Sequence, residues 1–459
     1  MSGDKLKNSI EHTFKWALLS LLFLTMFTTH AQELSLKHAY DLMLSTNGDL
    51  KASSFENEAV KEEEKATKGL RYPSVSIMGS YITLADDVTL DLNPAQDIIG
   101  GIIGGLPEGG LGDWNFTLQE QNFGFAAANV TWPIFAGGKI NEANKAAALK
   151  SDISENQHHL KEDQFTANLI DYYYKLKLAT EALDLYTSVL ETVKIHNDHA
   201  EKLFKNGIIP EVETLNAKVA LSNAKRELLG AEKDVSLAKT AIQNLIGGET
   251  FSSVSTEFMP PIILPPLEEF QQDMLSNNKQ LLQIEQNYQL AKIGVKVEKS
   301  DYFPQVGVFA GYLLWTDNLP LLDDYRWAAG VGLSWDIFDG FTREHKIKAS
   351  QHKVSQVEEI DKQARLNILT YTEKLYREIQ KQQEQYESLD SDEALAEKLK
   401  FMRTRGFEEG TGTSLEVIDA TLQLNKIKLL KLKALYQYNV TYGQLMIHLG
   451  ETTSFLNKN

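Results

Sequence analysis

Two periodicities alternate along this chain. Near residue 75 the pattern has period two: Val75, Ile77 and Tyr81 fall on one side, Ser74, Ser76 and Ser80 on the other. The same alternation returns at Val306, Val308, Ala310 and Tyr312 against Gln305, Gly307 and Gly311. This spacing predicts strands, with return strands over roughly 123–135 and 327–338. Proline-free stretches with scattered apolar positions follow, about 139–205 and 342–409, and predict two very long helices. At 1.5 Å per residue each is a rod of roughly 100 Å, too long to bury its apolar stripe inside its own subunit. Glycine-containing turns, Lys205-Asn-Gly-Ile-Ile-Pro210 and Glu409-Gly-Thr-Gly-Thr413, reverse each rod into a shorter helix that ends at Gly247 or Gly450. A further helix precedes each hairpin, over about 35–70 and 267–300. Each ends where Tyr72-Pro73 or Phe303-Pro304 forces extended geometry.

The pattern is one unit used twice. Trp132-Pro-Ile-Phe-Ala-Gly-Gly138 reappears as Trp335-Asp-Ile-Phe-Asp-Gly-Phe341, and the register holds without a gap to Gly247 and Gly450. Along it Phe204, Gly207, Glu213 and Ala217 meet Phe407, Gly410, Glu416 and Ala420. Upstream a second register pairs Leu44, Asn47, Tyr72, Pro73 and Tyr81 with Leu275, Asn278, Phe303, Pro304 and Tyr312. The registers differ because the first copy carries an insertion, roughly 85–121, rich in Ile and Gly and containing Trp114. Met259-Pro-Pro-Ile-Ile-Leu-Pro-Pro266 joins the copies as an extended connector. The division expected is 1–31 export signal, 32–247 first repeat, 248–266 connector, 267–450 second repeat and 451–459 tail.

An apolar face, a small or polar face and aromatics near the ends suit a strand in a lipid-facing barrel, although each strand alone also fits a soluble sandwich. Four strands cannot close a sheet, since membrane barrels begin at about eight. The strands therefore point to an oligomer. Lys5, Lys7 and Lys15 before the apolar run Trp16–Phe27, then Thr29-His-Ala31, read as a cleaved export signal; the other reading is an uncleaved anchor. After it, no segment reads as a transmembrane helix, so any crossing must be by strands.

Composition narrows the function. Of 459 residues, 63 are acidic and 46 basic, for a net charge of −17, the wrong sign for a nucleic-acid surface. With no cysteine, disulfides, thiolate metal sites and a cysteine nucleophile are excluded. His158-His159 and His196-Asn-Asp-His199 are the candidate metal ligands, but both lie in long polar helices and read as solvated or packed histidines. Asp86, Asp87 and Asp91 read as a solvated turn. Gly100-Gly-Ile-Ile-Gly-Gly105 lacks the Gly-Lys-Ser/Thr of a phosphate loop. No catalytic constellation stands out, so the expectation is no enzyme, no cofactor and no metal.

The duplicated Tyr-Pro/Phe-Pro strand starts, the Trp-x-Ile-Phe-x-Gly strand ends and the turn motifs of Gly207 to Ala217 and Gly410 to Ala420 resemble the TolC-like outer-membrane efflux channels (outer membrane factors). The likeness covers essentially the whole mature chain. It implies an α+β membrane protein, a homotrimer whose duplicated helix–hairpin–long-helix units form a twelve-stranded β-barrel continued by a periplasmic α-helical barrel. It implies a passive duct of a tripartite efflux or type I secretion system, in a Gram-negative outer membrane, docked to a periplasmic adaptor and an inner-membrane pump of RND or ABC type. The acidic gate of that family maps onto Glu213, Glu416 and Asp419, and the gate turns and adaptor-docking positions onto Gly207, Gly410, Phe407 and Gly412. Two linking positions depart from the pattern: Phe407 stands where some members have an aromatic hydroxyl, and Gly412 where an Arg is found. The competing reading is a periplasmic coiled-coil adaptor or structural spacer.

Overall fold

The computed structural model describes residues 33–104, 112–319 and 326–458. The export-signal reading falls on residues outside these. The described elements run α1 (Leu36–Thr46), α2 (Gly48–Lys68), β1 (Ser74–Thr83), β2 (Val88–Asp91), α3 (Asn93–Ile103), β3 (Asn115–Gln119), β4 (Asn122–Ala136), α4 (Lys139–Lys205) and α5 (Glu211–Leu245). After the connector come α6 (Leu267–Asn277), α7 (Lys279–Ser300), β5 (Gln305–Asp317), β6 (Trp327–Ser334), α8 (Thr342–Glu408), α9 (Ser414–His448) and α10 (Thr452–Lys458). Two compact units emerge, one of residues up to Phe55 with Asn156–Leu282 and Gln363 onward, the other of Glu56–Glu155 and Gln283–Lys362. No described helix is long and apolar enough to cross a membrane.

In the first unit the leading helix of each copy is two helices rather than one. Asn47 breaks the first: its Oδ1 accepts from the backbone amides of Asp49 and Leu50, at 3.0 and 3.1 Å. Asn278 breaks the second, accepting from Gln280 and Leu281 at 2.9 and 3.3 Å. Both act as N-caps in the middle of a helical pattern, satisfying amides that open when the helix restarts. The connector is held by polar side chains. Tyr173, fully buried on α4, donates its hydroxyl to the Leu34 carbonyl and accepts from the Thr256 amide, at 2.6 and 2.9 Å. On α9, Asn439 exchanges two hydrogen bonds with the Met259 backbone, and the Tyr438 hydroxyl accepts from the Ile262 amide. Such bonds hold an extended strap whose backbone otherwise pairs with Leu34 through a single parallel bridge at Val254. The last helix buries Phe455, against Tyr442 of α9.

The second unit holds a four-stranded antiparallel sheet of order β1-β4-β5-β6, so the two hairpins join through β4 and β5. Within the hairpins the registers coincide: Ser74 lies opposite Thr131, and the equivalent Gln305 lies opposite the equivalent Ser334. The expected extension of the second return strand to Phe338 is not seen. β6 stops at Ser334 because β5, its sole neighbour among the described strands, begins at Gln305, whereas β4 continues to Ala136 along β5. Beyond Ser334 the Arg343 guanidinium gathers the carbonyls of Asp301, Asp336 and Ile337, at 2.9, 2.8 and 3.0 Å. The first copy has Ile140 there and makes no such claim on its backbone. The insertion is also ordered where described: β2 and β3 pair into a second small sheet with α3 between them.

Candidate functional site

Two regions carry the chemistry. The first is the sheet. Val75, Ile77 and Tyr81 of β1, Trp132 and Ile134 of β4, and Val331 and Leu333 of β6 are all exposed. The ladder puts them on one face, since Val75 lies opposite Val130, and Val308 lies opposite both Trp132 and Val331. The opposite face mixes small and polar positions such as Ser74, Ser76, Asn129 and Gly330 with Met78, Ile82, Phe125 and Phe309, whose ring lies over Gly330 at 2.8 Å from where a Cβ would stand. Period-two alternation has thus made a sheet with one uniformly apolar, solvent-free-seeking side. Tryptophans at its lower rim are tethered alike in both copies. Trp132 Nε1 donates to the Arg71 carbonyl at 3.0 Å and Trp335 Nε1 to the Tyr302 carbonyl at 3.1 Å. At the other end Tyr81 and Trp315 converge on Gly124, where any Cβ would stand within 2.9 Å of both rings. Amphipathic aromatics at both ends of an apolar band are what membrane interfaces favour.

The second region is the pair of helix turns. Gly207 and Gly410 both adopt left-handed backbone, φ +74° and +75°, which lets each long helix reverse. Glu211 and Glu213 open α5, where the helix dipole favours acids. In the second copy Thr413 caps α9 in a reciprocal box. Its hydroxyl accepts from the Glu416 amide at 3.3 Å, and Glu416 Oε2 accepts from the Thr413 amide at 3.2 Å. Glu416 also pairs with Arg403 at 3.2 Å. A Cβ on Gly412 would press on that carboxylate, at 3.2 Å from Oε2. Asp419, one turn further, is exposed.

Phe407 binds the two turns together. Its ring stacks on His199 at 5.9 Å and 16°, and meets His196 edge-on at 5.2 Å. The Ser414 hydroxyl donates to the His196 carbonyl at 3.2 Å. His196 is buried, its Nδ1 has no partner among the described residues, and burial, then His199, then Lys400 push its titration down. A pocket of about 100 Å³ beside this contact is lined by Leu203, Ile209, Glu213, Phe407 and Ser414. The structure therefore gathers Glu213, Phe407, Gly412 and Glu416 around one end of the first unit, with Asp419 facing outward. Nothing in the sequence ties His196 to Phe407, because the contact joins residues far apart in the chain through side-chain packing alone. Of the other histidine pair, His158 links helices, its Nδ1 3.1 Å from Ser53 Oγ of α2, whereas His159 Nδ1 lies 2.8 Å from Glu162 of its own helix. Among the described residues no three potential ligands gather as a metal site.

A family model described as outer membrane efflux protein matches residues 39–248 and 271–451. Protein CyaE of Bordetella pertussis (strain Tohama I) is 22% identical over 255 residues, 52% of this chain and 52% of CyaE. The match thus spans about half the length of that curated relative. Among solved structures, the outer membrane protein VceC of Vibrio cholerae superposes with a TM-score of 0.71 at 15% identity, over 90% of this chain and 96% of VceC. The CmeC outer membrane channel of Campylobacter jejuni gives a TM-score of 0.71 at 14% identity, over 91% of this chain and 86% of CmeC. At such identities these two likenesses show a shared fold.

Proposed function

We propose that this chain, which belongs to the outer membrane efflux protein family, is one subunit of a passive export duct of the outer membrane whose helices reach into the periplasm. The observation that carries this reading is the sheet, apolar along one face with both outer strands, β1 and β6, lacking a second neighbour among the described strands. A sheet edge of that kind must be paired or covered, and four strands are about half of the smallest membrane barrel. The family resemblance implies a homotrimer, whose twelve strands close one barrel with lipid against Val75, Ile77, Trp132 and Leu333. It works with a periplasmic adaptor and an inner-membrane pump of RND or ABC type, which supplies the energy. The duct itself catalyses no reaction.

The turns form its periplasmic end. Glu213, Glu416 and Asp419 supply acidic charge that three-fold symmetry repeats around the constriction, where it draws cations. Gly207, Gly410, Phe407 and Gly412 shape the tip that the adaptor engages. Closure rests on packing of Phe407 against His196 and His199 rather than on polar links at positions 407 and 412.

An adaptor or spacer would have no use for an apolar sheet face in register with the helices. Fractionation with heat-modifiability on gels separates the two. The duct reading expects a heat-modifiable outer-membrane oligomer that conducts ions in planar bilayers. A purely soluble periplasmic pool overturns it.

A further inference from the structure

The two copies of the repeat part company where strand passes into long helix, and in the first copy a pocket opens there. It has a volume of about 360 Å³ and is lined by Arg71, Trp132, Ile134, Phe135, Gly138 and Asn141 among others. Its walls continue the exposed apolar face of the sheet, because Trp132 and Ile134 belong to both. Arg71 is the one charged side chain in the lining. It is exposed and makes no ion pair among the described residues; its Nη2 donates to Asn141 Oδ1 at 3.3 Å. The Trp132 indole donates to the Arg71 carbonyl at 3.0 Å, so cation and aromatic wall are held together.

We propose that this pocket holds the phosphodiester of a membrane phospholipid, one per chain, with the acyl chains lying over Trp132 and Ile134 along the apolar face. The inference rests on the export-duct reading, which sets this rim at the periplasmic leaflet, and adds a lipid site to it. A guanidinium grips phosphate oxygens through charge-assisted hydrogen bonds, and Asn141, whose Oδ1 already accepts from Arg71, keeps its Nδ2 to donate another. Indole and aliphatic walls suit the glycerol and the first methylenes, where headgroup gives way to hydrocarbon. A free anion would use the cation and leave those walls idle.

The second copy supplies the contrast. The repeat registers put Tyr302 at the place of Arg71, Phe341 at Gly138, Arg343 at Ile140 and Glu344 at Asn141. Each change works against a bound phosphate. The Phe341 ring packs edge-on against Phe338, the equivalent of Phe135, at 5.5 Å, whereas a Cβ on Gly138 meets nothing within 4 Å. Arg343 is buried and its guanidinium is taken up by three backbone carbonyls. Glu344, which accepts from the Tyr302 hydroxyl at 3.0 Å, sets a carboxylate where the first copy has an amide. Phe341 also shows that this fold accepts a ring on left-handed backbone, φ +68° against +87° at Gly138.

The full-length oligomer is purified in detergent, stripped of lipid and titrated with palmitoyl-oleoyl phosphatidylglycerol, and bound lipid is counted by native mass spectrometry. Arg71→Gln, Gly138→Phe and Gly138→Ala are run beside wild type, with heat-modifiability and planar-bilayer conductance measured for each. The expected result is one tightly held lipid per wild-type chain that inorganic phosphate in large excess does not displace. R71Q should bind about tenfold more weakly or worse, the loss of one charge-assisted contact. G138F should lose the tight class, and G138A, which shares the left-handed backbone but leaves the pocket open, should keep it. A wild-type chain without a tightly held lipid, displacement by phosphate, or an R71Q chain that binds like wild type overturns the lipid site and leaves the duct reading standing. A heat-modifiable G138F oligomer that retains the tight lipid does the same; if G138F does not reach that form, R71Q decides. A wild-type chain that forms no conducting oligomer overturns the duct reading and the placement of the site with it.

Discussion

The Asn47 side chain reaches across to the far end of its own repeat, its Nδ2 donating to the Leu245 carbonyl at 3.0 Å. The second copy repeats the relationship: Asn278 Nδ2 lies 3.5 Å from the carbonyl of His448, the residue equivalent to Leu245. Each asparagine therefore caps the helix it interrupts and ties that break to the last turn of the repeat's final helix.

Replacing Asn47 removes a cap and an interhelix bond at a buried site. With the amides of Asp49 and Leu50 and the Leu245 carbonyl left to find new partners, Asn47→Ala is expected to destabilise the fold by about 1–3 kcal/mol. Asn278→Ala should cost less, because its interhelix bond is at the limit of hydrogen-bond length. Urea unfolding of the two variants side by side measures both. Equal stability of N47A and wild type would remove the asparagine from this role.

The glycines that close the repeats are not equivalent in their surroundings. Gly247 and Gly450 share left-handed backbone, φ +71° and +80°. A Cβ on Gly247 would stand 2.7 Å from Thr46 Cβ, next to the asparagine break, whereas a Cβ on Gly450 meets nothing within 4 Å. Both alanine variants pay about 1 kcal/mol or more for the left-handed backbone, but only G247A adds a steric clash. G247A is therefore expected to unfold at a clearly lower urea concentration than G450A. Matched midpoints would show that Thr46 yields without cost.

The duplication, the strand faces and the long helices were legible in the sequence because period-two and helical spacing are local, and because the repeat supplied a second reading of each. The asparagine breaks were not, since Asn47 and Asn278 interrupt helices whose apolar pattern continues on both sides and whose cap is satisfied only once the chain folds. Nor was the early end of β6. Trp335–Phe338 matches its first-copy counterpart in pattern, and the difference arises from a missing neighbour strand and the Arg343 guanidinium. The order within the insertion, β2–α3–β3, was hidden by a glycine- and isoleucine-rich composition that reads as loop. At the turns, the acidic positions could be named from the repeat. That Glu416 is occupied by a cap and by Arg403, while Asp419 is exposed, required coordinates.

His196 gives the turns a pH dependence whose sign follows from its burial. Its folded pKa lies below the ordinary 6.5, because burial, His199 and Lys400 all disfavour the charged ring. The unfolded chain then binds the proton first on acidification. Stability is unaffected well above 6.5, falls as the pH drops through 6.5, and levels off below the folded pKa. His448, also pushed down by burial though opposed by Asp163, contributes in the same direction. His196→Phe keeps an aromatic ring against Phe407 and removes one titration, so its midpoint should fall less than wild type between pH 7.5 and pH 5. Parallel slopes for the two chains would exclude His196 as a contributor.

The two acids of the second turn are expected to separate in their effects. Glu416 completes the box around the cap Thr413 and has Arg403 at 3.2 Å, which offsets part of its charge. Its loss frees the Thr413 amide and the Arg403 guanidinium, so Glu416→Ala should lower stability while changing ion selectivity only modestly. Asp419 is exposed and lies three residues on, where no cap depends on it. Asp419→Asn keeps shape and removes charge, and in the proposed homotrimer it removes three charges from the proposed constriction. Reversal potentials in a KCl gradient across planar bilayers should therefore show a larger loss of cation preference for D419N than for E416A, with the thermal midpoint of D419N unchanged. A D419N channel with wild-type reversal potential would take that residue out of the constriction and leave the selectivity, if any, to Glu213 and Glu416.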